Sequence, residues 1–242
     1  VKLCVAMLFK VGGPKDVQNT SFAHIKNNGS HFFFSQMREI LQNKNKWYRY
    51  GNVPVCEEGD DPEVPDMLIC LRFLQLMCEG HHADNQNIMR EQPNNRSNIN
   101  LLDDFVELLN TCSKKPSRSA TKMSDQTANT ILEVIQGPCL KTQEHLAMYT
   151  DLCEIINRIL RAKPVGDCDE DEDEDVKKCT LEIFEALVEG QCLPSAIINR
   201  ILSVIDMEVL IQIGTDDDGD EEEEGEEGGE EGEGAAGEED ED

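Results

Sequence analysis

The strongest pattern along the chain is an apolar helical stretch that stops at a glycine and hands over to a second, polar-capped helix. Leu71-Arg72-Phe73-Leu74-Gln75-Leu76-Met77-Cys78-Glu79-Gly80-His81-His82, followed by Asn85-Gln86-Asn87, shows it in full. It returns as Ile131-Leu132-Glu133-Val134-Ile135-Gln136-Gly137-Pro138-Cys139 and again as Ile183-Phe184-Glu185-Ala186-Leu187-Val188-Glu189-Gly190. The apolar spacing predicts helices over 66–79, 121–136 and 176–189, with Gly80 placed as a C-cap whose left-handed conformation costs it little. Further helices are predicted over 83–91, from Asn98 as N-cap to Thr111, from beyond Pro138 to about Ala162, and over 195–212. Upstream, residues 1–50 read as two or three short helices broken at Gly12-Gly13-Pro14. Val17 to Ile25 keeps helical spacing, and Phe32, Phe33, Phe34, Met37, Ile40 and Leu41 form a wide apolar face. Pro54, Gly59, Pro62 and Pro65 mark 51–65 as a linker. No strand is predicted, because even the β-branched run Val209 to Ile213 continues a helical pattern.

A second echo supports repetition: Ile155-Ile156-Asn157-Arg158-Ile159-Leu160 recurs identically as Ile197 to Leu202. A period of about 40 residues is that of armadillo and HEAT repeats. The expected fold is all-α: stacked helical hairpins in an armadillo/HEAT-like α-solenoid, with the echo in the second helix of its hairpins. The domain plan is a helical lead-in at 1–50, the linker at 51–65, a helical domain at 66–213 and a tail at 214–242.

Charge changes this picture only locally. The formal net charge of −28 owes 18 acidic residues to the stretch Asp216 to Asp242, which otherwise holds only Gly and Ala. Without that tail the net charge is about −10, and eight more negative charges come from Asp167 to Asp175. Both runs self-repel and are expected to be disordered, the first as an insert at 167–175 within the helical domain. Truncation after Gly214 is expected to leave helicity and melting temperature nearly unchanged. The ten cysteines form no C-x-x-C pair and lie within apolar helical pattern, pointing to reduced thiols used as small hydrophobes in the cytosol. No apolar stretch reaches the ~20 residues that a membrane span needs. The chain starts at Val1 without an initiator methionine, as a fragment would.

The candidate chemistry is thin. Cys78, His81 and His82 are part of a zinc ligand set but lack partners at suitable spacing. The acidic run 167–175 does not fit an EF-hand: position six holds Glu172 or Glu174 where glycine is required, and position twelve holds Lys178 or Thr180 where glutamate is. Weak, diffuse calcium binding by the acidic runs is the most that it offers, and no cofactor is implied. Lys44, Lys46, Trp47, Tyr48, Arg49 and Tyr50 interleave charge and aromatics, yet the acidic chain would repel nucleic acid. Lys114-Lys115-Pro116-Ser117 makes Ser117 a candidate phosphosite for a basophilic kinase. Cys139 and His145 fall on different helix faces. No catalytic and no metal residue is assigned, and nothing argues for an enzyme.

The glycine-ended units, with Leu74, Leu76, Cys78, Glu79, Gly80, His81, Gln86 and Asn87, then Asn98-Ile99-Asn100, then Gln136, Gly137, Pro138, Cys139 and Gln143, then Glu189 and Gly190, resemble the RIH-associated domain. That domain is shared by ryanodine receptors and inositol 1,4,5-trisphosphate receptors, the intracellular calcium-release channels. Gly12-Gly13, Val17-Gln18 and Phe32-Phe33 are similar to the segment leading into it. Cys78 to His81 and Ile135 to Cys139 lean to the ryanodine branch, Asn199 to Leu202 to the other, and the balance tips to the ryanodine type. The resemblance implies a structural and coupling module on the cytosolic face of the endoplasmic or sarcoplasmic reticulum. Its partners would be other domains of the same subunit in a homotetramer, with no nucleic acid and no membrane insertion by this segment. The matching residues would be turn and packing positions. The rival from another class is a free-standing acidic solenoid that binds basic proteins, or weakly calcium, through its tail.

Overall fold

A computed structural model of the chain describes residues 1–10, 15–27, 30–43, 66–114, 117–163 and 170–211. The linker at 51–65, the Lys44 to Tyr50 patch, the Gly12-Gly13-Pro14 break and the tail from 214 lie outside the described residues.

Among the described residues there is helix and no strand. The helices are α1 (Lys2–Lys10), α2 (Lys15–Asn27), α3 (Ser30–Gln42), α4 (Asp66–Cys78), α5 (Ala83–Arg90), α6 (Leu101–Ser113), α7 (Arg118–Ile135), α8 (Leu140–Tyr149), α9 (Leu152–Arg161), α10 (Glu170–Val188) and α11 (Ala196–Val204). Residues up to Ile205 form one compact unit. Within it the helices stack in rows: α1, α4, α7 and α10 in the first, α2, α5 and α8 in the second, and α3, α6 and α9 in the third. The third helix of each unit also packs on the first helix of the next, α3 on α4, α6 on α7 and α9 on α10. Helix α11 closes the end by packing on α8, α9 and α10.

The predicted all-α stack is therefore present, but its unit has three helices where hairpins of two were expected. Position in the rows explains the sequence of each helix. Helix α4 lies between α1 and α7 with α3 alongside, so Met67, Cys70, Leu71, Phe73, Leu74, Leu76, Met77 and Cys78 are all buried. Helix α9 sits at the side of the stack and buries one stripe, Leu152, Cys153, Ile155, Ile156, Ile159 and Leu160, leaving Arg161 exposed.

Several expectations are corrected. Asn100, not Asn98, caps α6, its side chain accepting from Leu102 N at 3.1 Å. Asn98 instead closes the preceding loop, accepting from Gln92 N and donating to the Arg90 carbonyl. The single helix expected up to Ala162 is two, because Thr150 donates to the Leu146 carbonyl and accepts from Leu152 N, ending α8 and starting α9. The last predicted helix breaks after Val204. Helical structure resumes at 207–211, where Asp206 Oδ1 accepts from Glu208 N. Of the acidic insert, residues 170–175 are ordered as the first turns of α10. Carboxylates favour the positive end of a helix. Lys122 approaches Glu172 within 3.3 Å and Lys177 pairs with Asp173 at 2.8 Å. The identical six-residue echo lies in α9 and α11, so its first copy belongs to a third helix of the unit, not a second. Its environments differ: Leu160 is 5% exposed and Leu202 60%.

Candidate functional site: a seam of glycine caps

The last four carbonyls of a helix have no partner within it. At the C-termini of α4, α7 and α10 the chain turns through Gly80, Gly137 and Gly190, with φ of +70°, +78° and +70°, conformations that side chains with a Cβ resist. The free carbonyls just before each glycine are met by a glutamine from the preceding unit. Gln18 Nε2 on α2 donates to the carbonyls of Leu76 (3.0 Å) and Glu79 (2.8 Å). Gln86 Nε2 on α5 donates to those of Glu133 (2.9 Å) and Gln136 (2.7 Å). Gln143 Nε2 on α8 donates to those of Ala186 (2.6 Å) and Glu189 (3.2 Å). All three glutamines are buried, at 1%, 1% and 0% exposure. An amide nitrogen carries two protons, and each is used on one of the two carbonyls.

The seam is interlocked sterically as well. The residue after one glycine covers the next glycine: a Cβ on Gly137 would stand 2.4 Å from His81 Cγ, and one on Gly190 2.8 Å from Pro138 Cγ. Gly80 has open space at that point. His81 itself adopts φ +61°, the sole non-glycine residue with positive φ among those described. Glu189 Oε2 accepts from the Gly137 N–H at 3.0 Å, adding a cross-unit tie.

The remaining predicted positions fall around this seam. Leu74, Leu76 and Cys78 are core of α4, and burial pushes the Cys78 thiol well up from its ordinary value. His82 caps α5 by accepting from Asn85 N at 3.3 Å, and its Nε2 lies 2.9 Å from Asn19 Oδ1. Cys139 precedes α8 with Sγ 3.2 Å from Thr142 Oγ1, and His145 pairs with Asp103 on α6 at 2.7 Å. Asn87 is exposed and donates within its own helix to Ala83. No group of three or more His, Cys, Asp or Glu residues that could hold a metal ion occurs among the described residues. None of the eight described cysteines is in a disulfide.

Beside the seam runs an open groove of about 530 Å³ lined by His81, Gln136, Glu182, Glu185, Ala186 and Glu189. Glu133 lies near Glu79 and near His81, which lines the groove. Burial, and then the Glu79 charge, raise its carboxyl above the usual range against the pull of His81 and Arg72.

Gln18 was overlooked as a seam residue, yet a signal for it exists. Gly12 and Gln18, Gly80 and Gln86, and Gly137 and Gln143 have the same spacing, while the position equivalent after Gly190 is Ala196.

The geometry defines a stacked three-helix repeat whose buried glutamines join one unit to the next. Comparison with known proteins finds a likeness over part of the chain. Residues 63–160 match the family described as RyR and IP3R Homology associated. The inositol 1,4,5-trisphosphate receptor itr-1 of Caenorhabditis elegans is 32% identical over 118 residues, which is 44% of this chain and 4% of that receptor. The chain thus spans a small part of the length of that relative, which stands in the inositol trisphosphate branch and lends no support to a ryanodine lean. No described helix is long and apolar enough to cross a membrane.

Proposed function

We propose that this chain is a non-enzymatic structural and coupling element of an intracellular calcium-release channel, relaying conformational change from a ligand-sensing region toward the pore. It would act on the cytosolic face of the endoplasmic or sarcoplasmic reticulum, against other domains of its own subunit in a homotetramer. The observation that carries this reading is the seam. Gln86, Gly137 and Gln143 lie within the stretch similar to the receptor family, and each joins one unit to the next. A stack tied in this way transmits displacement as a semi-rigid body, where a loosely packed one would absorb it. Exposed apolar side chains at both ends of the stack, Leu3, Met7 and Phe32 at one and Leu193 and Leu202 at the other, suit a module flanked by further protein.

The test is replacement of the matching segment of the nematode inositol trisphosphate receptor by residues 63–160 of this chain. The expected result is retained ligand-evoked calcium release, which a Gln86→Leu change in the chimera lowers while ligand binding persists. Release that is untouched by cutting the tie would remove the coupling role. Loss of release in the parent chimera, with the segment folded, would remove the functional equivalence.

A further inference from the structure

We infer that Ser117 is a phosphorylation site whose modification loosens the start of α10 from α7. Three observations meet there. Lys114 and Lys115 precede the acceptor, the basic flank that a basophilic kinase reads. Ser117 is partly exposed, with extended backbone at φ −161° and ψ 157°, the conformation in which a peptide segment lies along a cleft. Among the described residues its hydroxyl makes one long contact, accepting from Ala120 N at 3.3 Å, which leaves its oxygen available to react.

The surroundings give the modification a consequence. Arg118 beside it and Lys122 one turn on both approach Glu172, at 3.9 and 3.3 Å, from α7 to α10. Glu172, Asp175 and Asp125 line the same pocket of about 220 Å³ with Thr121 and Lys122. Residues 170–175 are all acidic, and Asp125 is held above the usual carboxylate range by burial first and then by Asp175. This end of the α7–α10 contact is thus crowded with negative charge, and Arg118 and Lys122 bridge it from α7.

In the modification, Ser117 Oγ attacks the γ-phosphorus of ATP bound to a protein kinase. The Oγ–P bond forms, the bond from phosphorus to the β,γ-bridging oxygen breaks, ADP leaves, and the hydroxyl proton passes to the kinase's base. The phosphate adds about −1.5 to −2 charges at the α7 N-terminus, where backbone N–H groups and Arg118 favour it. Arg118 and Lys122 turn toward it and away from Glu172, and the acidic first turns of α10 lose their cross-helix cations.

The experiment treats the full chain with a basophilic protein kinase and ATP, maps the phosphate by mass spectrometry, and follows amide hydrogen exchange of 170–176. Near-stoichiometric phosphate on Ser117 is expected, with exchange over 170–176 roughly 2- to 5-fold faster, the size of one or two half-exposed ion pairs. Ser117→Asn keeps a capping side chain without an acceptor hydroxyl, and it should lose the label while leaving exchange at the unmodified rate. Labelling that is absent, or that persists in Ser117→Asn, overturns the site. Stoichiometric phosphate on Ser117 with unchanged exchange over 170–176 overturns its effect on α10.

Discussion

At the scale of single residues the seam makes two sharp predictions. Gln86→Leu keeps the bulk and removes both donors, leaving the Glu133 and Gln136 carbonyls without them. A loss of about 1–3 kcal/mol is expected, read as a fall in melting temperature of about 2–4 °C per kcal/mol. Asn87→Ala next to it, at an exposed position, should stay within about 0.5 kcal/mol. Equal effects of the two changes would mean that the glutamine tie contributes nothing particular. The glycines are also ranked. Gly80→Ala meets open space and should cost about 1–2 kcal/mol of left-handed strain alone. Gly137→Ala adds a clash with His81, for a total of about 3 kcal/mol or more. Shortening His81 to Gly relieves its own left-handed strain in either background. It should therefore return more to Gly137→Ala, where it also removes the clash, than to Gly80→Ala, which chemical denaturation of the four variants would show.

At the scale of helices, the α7–α10 contact carries a carboxylate that destabilises it at neutral pH. Asp125 has its carboxyl raised from 3.8, by burial first and by Asp175 next, with Asn129 pulling the other way. The folded form holds its proton where the unfolded chain has released it. This group therefore favours folding at low pH, and that contribution is lost as pH rises through its folded value. Asp125→Asn, which can still accept from Asn129 Nδ2 (2.7 Å to Oδ1), should raise the melting temperature at about pH 7 and lose its advantage toward about pH 3. A gain independent of pH would assign the effect to packing. The same contact shows why the acidic run was misread from sequence. Eight negative charges in nine positions describe a self-repelling coil unless cations stand opposite. Lys122 and Arg118, far away in the chain, supply them.

At the scale of the molecule, buried thiols make the stack sensitive to alkali. Burial pushes Cys112 and Cys179 from 9.0 to about 12 and Cys153 to about 11. Between these values the unfolded chain has lost protons that the folded one keeps, so stability falls as pH rises from 9 toward 12. Denaturation midpoints should drop over that range, and a Cys112→Ala, Cys179→Ala variant should drop less steeply. A slope identical to the parent's would mean that other groups set it. The net charge of about −10 that remains without the tail adds a second expectation: raising salt toward about 0.3 M should stabilise the fold by screening self-repulsion.

Helical periodicity and glycine punctuation were enough to read the all-α class, the long apolar helices and the glycines that end them, while Gln86 and Gln143 stood out as motif positions through the family resemblance alone. Those features are local: a helix is written in spacing of about 3.6 residues, and a left-handed cap in a residue without a Cβ. What tertiary structure decided is everything that depends on what stands opposite. It made the unit three helices, brought Gln18 against the carbonyl of Glu79, ordered 170–175 against Lys122, and buried Leu160 while exposing Leu202 from the same six-residue sequence. Identical residues acquire different roles because burial and pairing belong to the contact between distant segments, which spacing along one segment does not encode.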